Sequence, residues 1–405
     1  MVHICSYPLK TDIMAKLLIS CDDDIFIYKG EYYYTDQSWC NFYNRYLRVF
    51  ESIRIAVRCT YVDKLKPQRV KVEDPRVEVV YIPNFIGPKG YAKQYFKIGK
   101  AIRHITDGCD AAIVRLPSTI GQRVARHVMK KQLPYGVEVV YDAEDGWRSE
   151  TKWLNRFLWK RIDKEMRYTC YNANGVSCVT EHYLQKHYFS KKNYSFTANY
   201  STLELPQSFY ASSKEHPGNR TFVIANVANQ IQFNGRKGFN EIIMAISILK
   251  KRGIMVNAKF VGQSYENGVE KFKEFSKELD VYDQIQYMGY LTRPELNQFL
   301  STVDMYVMPT RAEGLPRVII EAMAKGLPAI STPVSGNPEL LPAHFLVKYE
   351  DVDTLADRIE ELIKDKAVYE KASMDNFEKS KQYEASILEK RRDAFYNNLK
   401  ACIKN

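Results

Sequence analysis

Two carboxylates, Glu313 and Glu321, stand eight residues apart in the stretch Arg311-Ala-Glu-Gly-Leu-Pro-Arg-Val-Ile-Ile-Glu-Ala-Met-Ala-Lys-Gly-Leu-Pro328. Glu313 precedes a predicted helix and has Gly314 beside it. Pro316 suits the first helical position, where a missing N–H costs nothing. The free amides around Gly314, Leu315, Arg317 and Val318 then face forward, with the positive end of the helix dipole behind them, and such an arrangement binds anions. Glu321 falls about a turn and a half inside the helix, within reach of a neighbouring hydroxyl pair. One carboxylate at a helix mouth, free amides and a second carboxylate further in suit a ligand with a diphosphate between two sugar-like rings. A Glu-x7-Glu spacing by itself recurs by chance in many helices. Here a buried-strand pattern at 304–309 comes just before it and another at 327–332 just after. The loop therefore sits at the carboxyl end of a strand, where open α/β sheets bind ligands.

A second candidate loop is Asn234-Gly-Arg-Lys-Gly-Phe239. Its glycines and the adjacent cations Arg236 and Lys237 suit a diphosphate, and the helix that follows adds its dipole. Gly262 and Tyr290 end or follow two more strands on the same sheet edge. Tyr290 is placed either to stack on a base or to cap a hydrophobic edge.

These loops need a scaffold. The second half alternates strand and helix: strands at 221–227, 257–262 and 285–289, helices at 239–252, 269–279 and 294–302. That alternation predicts a parallel sheet with helices on both faces. The first half offers strands at 16–20, 53–57, 77–81, 111–114, 137–141 and 175–179. A length of 405 residues fits two domains. We place them at 14–205 and 206–385, with 206–219 as linker and an amphipathic helix 386–405 packing back on the first domain. Residues 1–13 read as an extension.

The glutamate-pair segment resembles the Glu-x7-Glu signature of retaining family-4 glycosyltransferases. The likeness continues into Pro333-Val-Ser-Gly-Asn-Pro-Glu-Leu340, similar to that family's Gly-x-Pro-Glu segment. The resemblance implies a GT-B fold, two Rossmann-like α/β domains facing across a cleft. It implies that Glu313 contacts a donor sugar, that Glu321 contacts a nucleotide ribose, and that the loops at Gly262 and Tyr290 wall a nucleobase pocket. Lys237-Gly238 matches the family's phosphate-binding Lys-Gly. The usual Gly-Arg at the strand end is replaced by Ala228-Asn229-Gln230, so either Arg236 takes over the arginine's role or Asn229 takes a weaker one. Tyr141-Asp-Ala-Glu-Asp-Gly-Trp147 resembles the family's cleft-facing Asp-x-x-Asp-x-Trp and makes Asp145 the candidate for a polar contact with sugar or acceptor, with Asp142 anchoring the loop. Arg115 stands where the family often has His, and there an arginine can meet a phosphate or an acidic sugar. Asn199 resembles the Asn of a Pro-Asn-Gly segment.

The expected partners are a nucleotide-diphosphate sugar and a glycan or lipid-linked acceptor, with no cofactor and no metal. Asp22-Asp-Asp24 has a metal reading, as the Asp-x-Asp of a different glycosyltransferase fold that holds Mn²⁺ or Mg²⁺. Its alternative is a turn or a contact to a hydroxyl-rich acceptor. The charge is lopsided: residues 1–200 hold 32 Lys and Arg against 21 Asp and Glu, whereas residues 201–405 hold 27 of each. With no nucleic-acid motif, that excess points to a solvated basic face or to peripheral contact with an anionic membrane. In helix 152–162, Trp153 and Phe157 are expected to line a core face with Ile162 and Met166, leaving Trp159 outside. Eight cysteines without C-x-x-C spacing, no apolar span and no secretory signal point to a reduced, cytoplasmic setting. Rival readings are another GT-B enzyme, such as a phosphorylase or a nucleotide-sugar epimerase, and a non-catalytic basic membrane- or nucleic-acid-binding protein.

Overall fold

Runs such as Ala111–Leu116 and Met305–Met308 are buried at every residue, Arg115 included. Parallel strands covered on both faces have this property. The coordinates are a computed structural model that describes residues 14–148, 153–189, 194–203 and 205–403. The extension 1–13 and the Trp147 side chain lie outside the described residues.

The first sheet is built on seven parallel strands. In spatial order they are Val77–Pro83, Ser52–Tyr61, Lys16–Tyr28, Ala111–Leu116, Tyr135–Val139, Gly175–Cys178 and Phe196–Asn199. The chain reverses direction across the sheet at Lys16–Tyr28, so the topological switch point lies between that strand and Ala111–Leu116. Helices Gly87–Ala101, Thr119–Lys130 and Trp153–Asn172 cover one face over Ile98, Val124, Val128 and Met166.

The first strand is the main departure from expectation. It does not stop at Ser20 but runs for 13 residues through the aspartate triplet. Its register against Ser52–Tyr61 shifts between Ser20 and Asp24, so residues 21–23 form a bulge. It then returns through Lys29 and Gly30, both at positive φ, into the antiparallel strand Glu31–Tyr34. Two positive-φ residues are what a tight two-residue hairpin requires.

The second sheet has five parallel strands in the order Ile285–Gly289, Val256–Ser264, Phe222–Ile231, Met305–Met308 and Ala329–Ser331. Its switch point lies between Phe222–Ile231 and Met305–Met308. Phe222–Ile231 extends past the expected end and carries its own register shift between Val227 and Gln230, which puts Asn229 inside the strand.

The expected linker is not loose. Phe209 is buried, the Ala211 amide donates to the Ala324 carbonyl, and the Lys214 amide donates to Ser373 Oγ at 2.6 Å. Leu205 pairs with Glu384 where the chain leaves the first sheet and later returns. Helix Ala385–Lys400 then lies on the first sheet, with Phe395 against Gly136 and the Tyr396 hydroxyl donating to Glu138 at 3.0 Å. A Cβ at Gly136 would come within 2.9 Å of the Phe395 ring, so this helix approaches the sheet closely.

Candidate active site

The two candidate loops of the second domain leave adjacent strands on either side of its switch point. They are tied together by backbone. The Arg311 amide and the Thr310 hydroxyl both donate to the Arg236 carbonyl at 2.9 Å. Gly238 has φ of 73°, and a Cβ there would stand 2.2 Å from the Pro309 carbonyl oxygen, so only glycine lets the loops meet. The consequence is an ion pair between residues far apart in sequence: Lys237 Nζ donates to Glu313 Oε1, which also accepts from Thr310 Oγ1 at 3.2 Å. Arg236 is exposed at the loop's outer edge.

Helix Arg317–Ala324 begins one residue later than expected. Pro316 is its cap, with ψ of 108°, so the first free amides are those of Arg317 and Val318. Leu315 is buried beneath them and Val318 half-buried. Gly314 is pressed against the first domain: a Cβ there would lie 2.4 Å from the Val140 carbonyl oxygen. The helix mouth therefore opens directly under the Tyr135–Val139 strand end.

Glu321 is 2 % exposed, and Arg293 Nη1 reaches its Oε1 at 3.1 Å. Burial pushes its carboxyl up, while Arg293 and Arg317 oppose the shift. Across the cleft, burial pushes the Tyr141 phenol up to about 12; Arg236 opposes, and Asp145, Glu313 and Asp142 add to it. Asp145, Arg236 and Glu313 thus each lie within electrostatic reach of Tyr141. Asp145 Oδ1 accepts from the Tyr183 hydroxyl at 3.4 Å. Asp142 is fully buried and accepts from Tyr188 at 2.7 Å and from the Glu144 amide at 2.9 Å, so it anchors this loop.

Other candidates fall elsewhere. Asn229 is exposed on the bulged strand end, and no hydrogen bond among the described residues joins it to Lys237 or Glu313. Gly262, at φ 152°, packs against the Ala228 carbonyl, where a Cβ would stand 2.5 Å away. Tyr290 is 62 % exposed beyond the strand Ile285–Gly289. Asn199 ends the edge strand Phe196–Asn199. Arg115 is buried in the first domain, 3.5 Å from Glu138 and 4.5 Å over the Phe42 ring. In the aspartate triplet, Asp23 accepts from the Tyr43 hydroxyl at 3.1 Å and Asp24 pairs with Arg58 at 3.4 Å, while burial pushes the Asp22 carboxyl up and Arg58 opposes. Among the described residues no group of three or more His, Cys, Asp or Glu side chains is placed to hold a metal ion.

The Trp153–Asn172 helix reverses the expected pattern at one end. Trp153 and Phe157 are exposed, at 79 % and 60 %, whereas Trp159 packs on the core and lies 6.2 Å from the Tyr141 ring. Of the expected face, Ile162 and Met166 join the core.

Sequence reasoning missed Thr310, Tyr141, Arg293 and Glu339 as site-forming residues. Glu339 ends the Gly-Asn-Pro-Glu segment, so a signal was present. Its carboxylate accepts from the amides of Glu181, His182 and Tyr183 at 2.5, 3.0 and 2.6 Å and clamps the two domains together.

Residues 218–380 match the family model described as glycosyl transferases group 1. The whole chain has the GT-B fold: it superposes on Anabaena HepE, solved in complex with UDP and glucose, with a TM-score of 0.66 at 14 % identity, covering 96 % of this chain and 100 % of that one. The fold of the chain is thus GT-B, and its second domain is similar to the group 1 glycosyl transferases. Among relatives in sequence, protein CapJ of Staphylococcus aureus is 26 % identical over 393 residues, 96 % of each chain. The capsular polysaccharide biosynthesis glycosyltransferase CapM of the same organism is 28 % identical over 156 residues, 38 % of this chain and 39 % of that one. No described helix is long and apolar enough to cross a membrane.

Proposed function

We propose that the chain is a retaining family-4-type glycosyltransferase that moves a sugar from a nucleotide-diphosphate donor to a glycan or lipid-linked acceptor in cell-surface polysaccharide synthesis. The observation that carries this is the Lys237–Glu313 pair at the switch point, beside the free amides of Arg317 and Val318. In this reading the diphosphate draws Lys237 and Arg236 and rests on those amides. Glu313, released from Lys237, orients the donor sugar. Glu321, held at the back of the pocket by Arg293, accepts from the ribose hydroxyls. Gly262 and Tyr290 wall the base, Asn229 borders the diphosphate, and Asp145 meets the sugar or acceptor.

The hard step is departure of the nucleoside diphosphate from the anomeric carbon through an oxocarbenium-like state. Negative charge grows on the leaving phosphate, and preorganised cations and amides lower that barrier most. Lys237, Arg236 and the helix mouth supply them, so the chemistry is read as metal-independent and cofactor-free. The acceptor hydroxyl attacks the same face of the sugar, and its proton passes to the leaving phosphate oxygen. Neither glutamate is assigned as a nucleophile, unlike the close carboxylate pair of retaining glycosidases.

The acceptor lies on the first domain, at the cytoplasmic face of a membrane. Exposed Ile86, Phe96, Trp153 and Phe157, interleaved with exposed Lys89, Lys93 and Lys97, support peripheral contact with anionic lipid. No nucleic-acid partner is assigned. The test is a thermal-shift screen with UDP-, GDP- and ADP-sugars, because a donor stabilises the fold by mass action. It is followed by turnover of Glu313→Ala with the stabilising donor. Turnover is expected to fall on the order of a hundredfold while nucleotide affinity changes little. Wild-type activity in that variant refutes the assignment.

A further inference from the structure

One buried hydroxyl stands beside the Lys237–Glu313 pair. Thr310 follows the strand Met305–Met308 by way of Pro309 and is fully buried. Its Oγ1 lies 2.9 Å from the Arg236 carbonyl oxygen, 3.2 Å from Glu313 Oε1 and 3.3 Å from the Ala312 carbonyl oxygen. A threonine hydroxyl carries a single proton, so one hydrogen faces three acceptors. The Arg236 carbonyl also receives the Arg311 amide at 2.9 Å, and Glu313 Oε1 also receives Lys237 Nζ. Neither acceptor depends on Thr310 alone while Lys237 is in place. Among the described residues, Lys237 and Thr310 are the hydrogen-bond donors to the Glu313 carboxylate, both at Oε1.

The hydroxyl is itself held in place. The Thr310 carbonyl accepts from Thr332 Oγ1 at 2.6 Å, and the Thr310 amide donates to the Met308 carbonyl at 2.9 Å. Thr332 is braced in turn by Asn337, whose Nδ2 donates to the Thr332 carbonyl at 3.0 Å and to Ser331 Oγ at 2.9 Å. Ser331, Thr332 and Asn337 are all fully buried. The neighbouring loop has anchors of its own, since Asn226 Nδ2 donates to the Lys237 carbonyl at 3.0 Å. Its backbone is therefore tied down without the Thr310 hydroxyl.

We propose that Thr310 is the positioning residue for Glu313, taking over its carboxylate when the donor's diphosphate draws Lys237 away. It rests on the donor reading of the switch-point site. Departure of Lys237 leaves Glu313 with a side chain only 12 % exposed and no cation. A largely buried charge without a hydrogen bond is costly, and bonds to a charged acceptor are about twice as strong as those to a neutral one. The Thr310 proton then turns from the Arg236 carbonyl, which keeps the Arg311 amide, to Glu313 Oε1. That bond fixes one carboxylate oxygen and leaves Oε2 to a hydroxyl of the donor sugar.

The test compares the full-length wild type with Thr310→Val, which has nearly the same shape and cannot donate, and Thr310→Ser, which keeps the hydroxyl. Turnover is measured with the nucleotide sugar that stabilises the protein. In Thr310→Val kcat should fall about tenfold to a hundredfold, while Thr310→Ser stays near wild type. In a Glu313→Ala background the valine substitution should change kcat little, because residues that act through one another are not additive. Wild-type kcat in Thr310→Val overturns the proposal. So does equal impairment of Thr310→Ser, or a full-sized valine effect in Glu313→Ala. A second readout needs no turnover. Lys237→Met removes the cation without any ligand, so Thr310→Val should lower the thermal-unfolding midpoint about twice as far in that background as in wild type. Equal shifts overturn the proposal. If the valine variant does not fold, Thr310→Ala replaces it in every comparison, since alanine removes the hydroxyl without filling its space. A wild type that transfers no sugar from any donor sinks the enzyme reading alone, because the Lys237→Met comparison still reports on Thr310.

Discussion

Asp23 gives the most quantitative test of how the first domain is built. It is 5 % exposed in the strand bulge, accepts from the Tyr43 hydroxyl at 3.1 Å and from the Asp24 amide at 2.7 Å, and lies within electrostatic reach of Arg115. Burial outweighs these partners and pushes its carboxyl from 3.8 up to about 7. The folded protein therefore keeps a proton that the unfolded chain releases between those two values. Stability must fall as pH rises through that window, with the full penalty present above about pH 7. A shift from 3.8 to about 7 corresponds to about 4 kcal/mol. Asp23→Asn keeps the shape and the acceptor for Tyr43 but cannot ionise. Allowing about 1 kcal/mol for a poorer hydrogen bond, the variant should be more stable than wild type by about 3 kcal/mol at pH 8. The advantage should vanish near pH 4. Urea unfolding followed by tyrosine and tryptophan fluorescence at several pH values measures the difference, and only the difference is needed because a two-domain chain need not unfold in one step. A gap that is the same at pH 5 and pH 8 refutes the reasoning. It would mean that Arg115 and Tyr43 balance the charge fully.

Gly314→Ala should force the Val140 carbonyl and the 314–317 loop apart, since the new Cβ would start 2.4 Å from that oxygen. We expect a loss of about 1–3 kcal/mol and nearly complete loss of turnover, read by thermal unfolding and a sugar-transfer assay; normal values for both would show that the domains do not close as described. Glu339→Ala removes an acceptor from three amides of the other domain. It should cost on the order of 3 kcal/mol and speed hydrogen exchange at residues 181–183, and unaltered protection there would dismiss the clamp. Phe96→Ser combined with Trp153→Ser should weaken sedimentation with anionic vesicles at least tenfold without changing nucleotide binding. Equal sedimentation would remove the membrane contact from the functional assignment.

The local pattern of the chain was enough to place most strands of both sheets, the helices of the second half and the loops that carry Glu313 and Lys237. Burial on both faces writes itself as continuous apolar runs, and turn residues mark their ends, so these features are local and legible. Other features depend on neighbours that local pattern does not encode. The first strand runs on through Asp22-Asp-Asp24 by way of a bulge and a hairpin return, with Asp23 against Tyr43 and Asp24 against Arg58. Trp153 and Phe157 have helical core spacing, yet they stay exposed.

The same division holds at the site. Sequence alone determined which residue types are present and that Glu313 stands at a helix mouth on a sheet edge. Only the tertiary structure decided that Lys237 closes on Glu313 and that Arg293 holds Glu321. Those contacts span long stretches of chain, and their geometry is set by strand order and by glycines that let backbones touch, at Gly238 against Pro309 and Gly314 against Val140. A carboxylate's partner is fixed by what the fold brings within a few ångströms, because a charge in a buried cleft is stabilised by its nearest neighbours and not by its place in the chain.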